Sequence, residues 1–133
     1  MQAALFPCGV SLAATWNVEI LHAIGTSLAA ETKARQAQAL LAPTVCMHRS
    51  PLGGRNFESF SEDPLLTGKL ASAYIKGLQE SGIGATIKHF VGNEQETWRM
   101  TVDAVIEERP LRELSYPSYF HSPRRTFLKV NSF

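Results

Sequence analysis

Residues 39–45 and 83–90 are two apolar runs, and the stretch between them contains a helix start at Asp63-Pro64 and a stop at Ser81-Gly82. No other feature constrains the fold as much. Asp63 can cap the free N–H groups of a helix, and Pro64 suits its first position because the missing N–H would have had no intrahelical partner. Leu66, Leu70, Tyr74 and Leu78 give that helix one apolar stripe, and Gly82 ends it. The flanking runs have the continuous apolar character of strands buried on both faces, as parallel sheets require. Pro43 puts a strand end or a bulge within the first of them. An earlier strand is expected at residues 3–9, followed by a helix over 17–36 capped by Thr15 or Asn17, with Ile20, Leu21, Ile24 and Leu28 on its buried face. Strand, helix, strand, helix, strand is the pattern of right-handed βαβ units, so the fold class is α/β with a parallel sheet. Beyond Phe90 the sequence predicts a polar loop to about Arg99, a strand at 102–106 and a short helix at 108–114. From Ser115 the periodicity fails, and Pro117, Pro123 and the pair Arg124-Arg125 predict an irregular tail over 115–133.

The 133 residues carry 13 Lys and Arg against 12 Asp and Glu. That balance offers no cationic excess to grip a phosphate backbone or an anionic membrane, so neither nucleic acid nor membrane is an expected partner. Cys8 and Cys46 have neither the number of a disulfide framework nor the spacing of a zinc site, and both read as small buried residues. The apolar run over residues 3–14 has no basic segment before it and is broken by Pro7 and Gly9, so it does not read as a signal peptide. Nothing approaches the roughly 18 apolar residues of a membrane-spanning helix, and the chain reads as soluble.

Candidate chemistry gathers in two loops. Lys88 and His89 end a strand, where alternation sends neighbours to opposite faces; both reach one ligand only if the backbone departs from regular strand geometry. Otherwise His89 packs in the core and Lys88 is solvated. Gly53-Gly54-Arg55 either makes a turn with a surface charge, or admits close backbone approach while Arg55 donates a forked pair of hydrogen bonds. Glu58, three residues on, either orients that guanidinium or is solvated. Glu94 and Glu96 could line the same cleft or hold Lys88 and Arg99. His22, His48 and His121 fall into no metal-binding spacing, and no serine-nucleophile elbow is present.

Three blocks together, Phe6-Pro-Cys-Gly-Val-Ser-Leu-Ala-Ala-Thr15, Arg49-Ser-Pro-Leu-Gly-Gly-Arg-Asn-Phe-Glu-Ser-Phe-Ser-Glu-Asp-Pro64 and Ala85-Thr-Ile-Lys-His-Phe-Val-Gly-Asn-Glu-Gln-Glu96, resemble glycoside hydrolase family 3, in particular its fungal-type β-glucosidases. The likeness spans roughly residues 3–114; Pro110 departs from it. It implies an incomplete (β/α)8 barrel of about three to four βα units, with 1–114 a partial N-terminal catalytic domain and 115–133 a divergent tail. It also implies a retaining mechanism without metal or cofactor that releases terminal β-D-glucose from a small β-glucoside or oligosaccharide. Arg55, Lys88 and His89 match the family positions that hold the sugar hydroxyls, and so should converge at the carboxyl ends of neighbouring strands. An unusual backbone at Lys88-His89, such as a cis peptide, is implied as well.

A retaining glycosidase needs two carboxyl groups about 5 to 5.5 Å apart, one a nucleophile and one an acid/base. None of Asp63, Asp103, Glu94 or Glu96 matches either position in the family, so no catalytic residue is assigned and the chain alone is expected not to hydrolyse. A full barrel takes about 250 residues. The chain therefore resembles a central slice, with a truncated gene product and a carbohydrate-binding pseudoenzyme as the competing readings.

Overall fold

The computed structural model describes residues 3–120 and 127–130. Helix α1 (Gly9–Ala13) leads into α2 (Val18–Ala34), then strand β1 (Ala39–Leu40), helix α3 (Pro64–Glu80) and strand β2 (Gly84–Phe90). A short helix α4 (Glu108–Pro110) widens into a π turn over Leu111–Ser115, and α5 (Pro117–Phe120) and strand β3 (Phe127–Val130) follow. Among the described residues the sheet is parallel, in the order β1-β2-β3, with Ala39 opposite Gly84 and Thr86 opposite Phe127. The chain thus has an α/β fold on a parallel sheet, as its pattern predicts.

Both long helices start where their caps dictate. Asn17 Oδ1 accepts the Ile20 N–H at 3.0 Å, and Asp63 Oδ1 accepts that of Leu65 at 2.8 Å. Gly82, with φ +77°, takes the chain out of α3. The buried face of α2 is Leu21, Gly25, Ala29 and Thr32, one step round from the expected stripe; Ile20 is 43% exposed, and Ile24 and Leu28 pack only partly against the core. The cause is the closeness of α3. A Cβ on Gly25 would lie 2.2 Å from the Tyr74 carbonyl oxygen, and one on Gly77 would lie 2.2 Å from that of His22. The helices therefore cross backbone to backbone at this pair, and bulky residues are displaced to the flanks. On its other side α3 packs against β2, where Ala85 and Ile87 are fully buried together with Ile75 and Leu78.

Three strand expectations need correction. Residues 3–8 form no strand: Leu5 is 98% exposed, and the Ala4 N–H is taken by Glu31 Oε1 of α2 at 3.3 Å rather than by a sheet neighbour. The strand expected at 39–45 is regular only at Ala39–Leu40. Pro43 cannot donate to a ladder, and the pairing resumes as single parallel bridges from Thr44 to Lys88 and Ser59. Residues 102–106 are not a strand either; Val105 is 85% exposed and has no strand partner to pair with.

Beyond Ser115 the described residues are ordered by aromatic packing on β2. Phe90 stacks on Tyr116 with centroids 5.9 Å apart and meets Tyr119 edge-on at 5.2 Å, while Tyr119 Oη donates to the His89 carbonyl at 2.5 Å. Of the residues expected to be irregular, 121–126 and 131–133, with His121, Pro123, Arg124 and Arg125, lie outside the described residues.

Candidate functional site

The carboxyl end of β2 delivers Lys88 and His89, and the loop after β1 delivers Arg55. A 3-10 turn at Asn56–Glu58 follows Arg55 directly and brings Glu58 back beside its guanidinium. Arg55 Nε donates to Glu58 Oε1 at 2.7 Å and Nη2 donates to Oε2 at 3.0 Å, the forked geometry that an arginine offers a carboxylate. The same Oε2 accepts from Lys88 Nζ at 3.5 Å and from Thr44 Oγ1 at 3.3 Å. Glu58 therefore orients two cations from two elements. Its hydrogen bonds with Arg55, reinforced by the charges of Arg55 and Lys88, pull its carboxyl down to about 2, and the carboxylate in turn raises the pKa of Arg55.

The Lys88-His89 peptide is cis, as is Phe90-Val91. His89 is buried at 7% exposure, with its Nδ1 at 3.6 Å from Cys46 Sγ and its N–H donating to that sulfur at 3.5 Å. Burial holds the Cys46 thiol up at about 11, so it stays neutral beneath the histidine. Cys8, expected to be buried, is exposed instead, with its sulfur 3.3 Å from Ser11 Oγ.

Arg55, Lys88 and His89 all line one cleft of about 820 Å³, bounded on its far side by the loop over residues 91–107. That loop contributes two groups whose roles the sequence leaves open. Glu96 holds Arg99 at 2.9 Å and Arg55 at 3.4 Å but not Lys88, which goes to Glu58. Glu94 faces the cleft, its carboxyl raised by burial against the opposing pull of Arg49. Arg49 and Arg99, which line the cleft too, are cations the sequence reading did not single out as site residues. A signal for Arg99 exists: it follows Glu96 by three residues, the spacing that already pairs Arg55 with Glu58. Asp63 lies at the cap of α3, away from the cleft, whereas Asp103 is on its wall. No cluster of three His, Cys, Asp or Glu side chains suited to a metal occurs among the described residues.

A cleft at the carboxyl end of parallel strands, walled by clamped cations and carboxylates, is the place where α/β proteins bind small polar ligands. Residues 1–121 match the glycosyl hydrolase family 3 N terminal domain. The chain belongs to that family. It is 62% identical over 114 residues to β-glucosidase B of Emericella nidulans, an alignment that takes in 86% of this chain and 14% of that one. The structure of β-glucosidase 3B from Thermotoga neapolitana in complex with glucose superposes with a TM-score of 0.87 at 43% identity, covering 96% of this chain and 19% of the other. DesR, a β-glucosidase from Streptomyces venezuelae in complex with D-glucose, gives a TM-score of 0.90 at 34% identity, covering 99% and 18%. The chain thus spans between about a seventh and a fifth of the length of these relatives.

Proposed function

We propose that this chain is part of a retaining β-glucosidase and forms part of the cradle that holds a terminal β-D-glucose, with Arg55, Lys88 and His89 as its hydroxyl-binding groups and Glu58 as the residue that aims two of them. The observation that carries the reading is the convergence of Arg55, from the loop after β1, with Lys88 and His89, from β2, on one cleft. Fixed cationic donors suit vicinal hydroxyls, and contacts that tighten as the ring flattens toward an oxocarbenium ion lower the barrier to glycoside cleavage. Glucose in the two related structures supports the choice of sugar.

In this reading residues 1–114 are about three to four βα units of an incomplete (β/α)8 barrel, and 115–133 diverge from it. Of the carboxylates on the cleft wall Glu94 is half-buried while Asp103 and Glu107 are exposed, and none occupies a position that the family uses for its nucleophile or acid/base. The chain by itself binds the sugar and does not cleave it.

The test is an assay of the purified chain on an aryl β-glucoside beside a full-length relative, together with a D-glucose titration. Binding without turnover is the expected result. Turnover that survives rigorous purification and vanishes in Glu94→Gln or Glu96→Gln would overturn the assignment, because a carboxylate placed outside the chemistry would then be performing it.

A further inference from the structure

We infer that Glu96 is a positioning residue that locks two of the cleft arginines, Arg55 and Arg99, against each other, and that the sugar cradle depends on it without its touching the sugar. The inference rests on the proposed glucose site and adds a residue to it. Arg55 has five N–H donors. Glu58 takes one on Nε and one on Nη2, and Glu96 takes one on Nη1, which leaves two for a ligand. The other oxygen of Glu96 accepts from Arg99 at 2.9 Å, so a single carboxylate spans guanidinium groups that lie 44 residues apart in sequence and on opposite loops. Asn93 Nδ2 donates to Glu96 Oε1 at 3.2 Å and fixes the carboxylate in turn.

Charge explains why the bridge is needed. Arg49, Arg55, Lys88 and Arg99 are four cations gathered on one cleft, and Glu58 neutralises only two of them, Arg55 and Lys88, through direct contact. Glu96 is about a quarter exposed, so its attraction is screened less than that of a surface pair. Without it Arg99 has no acidic partner in this network, and Arg55 and Arg99 repel each other across the cleft. The loop over residues 91–107 would then be free to carry Arg99 away from the loop that carries Arg55.

The experiment uses the 133-residue chain with 15N-labelled arginine, as wild type and as Glu96→Gln. The guanidinium resonances are read without ligand, and D-glucose is then titrated in. In the variant the Arg55 and Arg99 signals should shift together toward those of free arginine, while the amide signals of α2 and α3 stay in place. D-glucose affinity should fall about tenfold, in keeping with the loss of a charge-assisted hydrogen bond. In an Arg99→Gln background the same substitution should cost only about threefold, because half of what it aligns is already gone. Movement of Arg99 alone, or of neither arginine, would overturn the bridge. Equal losses in both backgrounds would overturn it as well, since they would make Glu96 a direct sugar ligand. A wild type that fails to bind D-glucose would sink the sugar site, whereas the paired guanidinium shift would still uphold the clamp.

Discussion

The α2/α3 layer and the cleft loops are built on opposite terms. The helices meet through Gly25 and Gly77, where each backbone touches the other and no side chain intervenes. The loops never pack so closely. They are held by the Glu58 and Glu96 carboxylates, which tie Arg55, Lys88 and Arg99 together across gaps of 2.7 to 3.5 Å. A glycine contact stabilises only if the geometry is kept to a few tenths of an ångström, whereas an ion-pair network tolerates small shifts but responds to protons and salt. One region therefore sets whether the chain folds, and the other sets whether the folded chain presents a site.

The harshest way to break that division is Gly77→Ala. The added Cβ would fall 2.2 Å from the His22 carbonyl oxygen and 2.9 Å from the Thr26 nitrogen, both backbone atoms that cannot rotate away. A loss of about 3 kcal/mol is expected, the upper end of the usual range for overpacking. Urea denaturation measures it. If stability is unchanged, the helices do not cross as closely as described.

How well the sequence foretold each region follows the same division. Caps and stops are local chemistry, so Asn17, Asp63, Pro64 and Gly82 mark the ends of α2 and α3 closely. Which face of α2 is buried is not local. Ile20 looks like a core residue until Gly25 and Gly77 are seen to touch, and that contact joins positions far apart in sequence. Strands failed for a related reason: residues 3–8 and 102–106 have strand-like composition, but a strand exists only where a neighbour can pair. In the cleft, the three-residue spacing made the Arg55–Glu58 pair legible. The same spacing links Glu96 to Arg99, yet the second arm of Glu96, to Arg55, crosses between loops and leaves no trace in either.

A milder perturbation should reach the cleft and spare the helices. Glu58 titrates well below its ordinary value of 4.5, at about 2, chiefly through its hydrogen bonds to Arg55. The folded-state pKa is depressed, so its contribution is fully present above pH 4.5 and is lost as the pH falls toward about 2. Glu58→Gln should remove that part of the acid dependence at a cost of about 1 kcal/mol near neutral pH, the upper end for a pair only partly withdrawn from water. D-glucose binding should weaken at the same time, because Arg55 and Lys88 lose their common anchor. An unaltered pH profile of the denaturation midpoint between 4.5 and 2 would mean that the carboxylate is not held as its contacts indicate.

The smallest effect is expected at an arginine–glutamate pair that lies in solvent. Arg109 Nε shares its one N–H between the two oxygens of Glu113 at 3.1 and 3.2 Å, whereas Arg55 offers Glu58 two separate N–H groups, and the Arg109 and Glu113 side chains are 84% and 60% exposed against 27% and 25%. Water and salt screen the exposed pair, and two long side chains lose rotamer freedom to form it. Glu113→Gln should therefore shift stability by less than about 0.5 kcal/mol, within the range of exposed helical pairs. Glucose affinity should not move at all. If Glu113→Gln instead costs as much as Glu58→Gln, burial is not what distinguishes the cleft pairs. Neither burial nor the second N–H would then strengthen the cleft pair, and the contrast between a clamped site and an ordinary charged surface would fail.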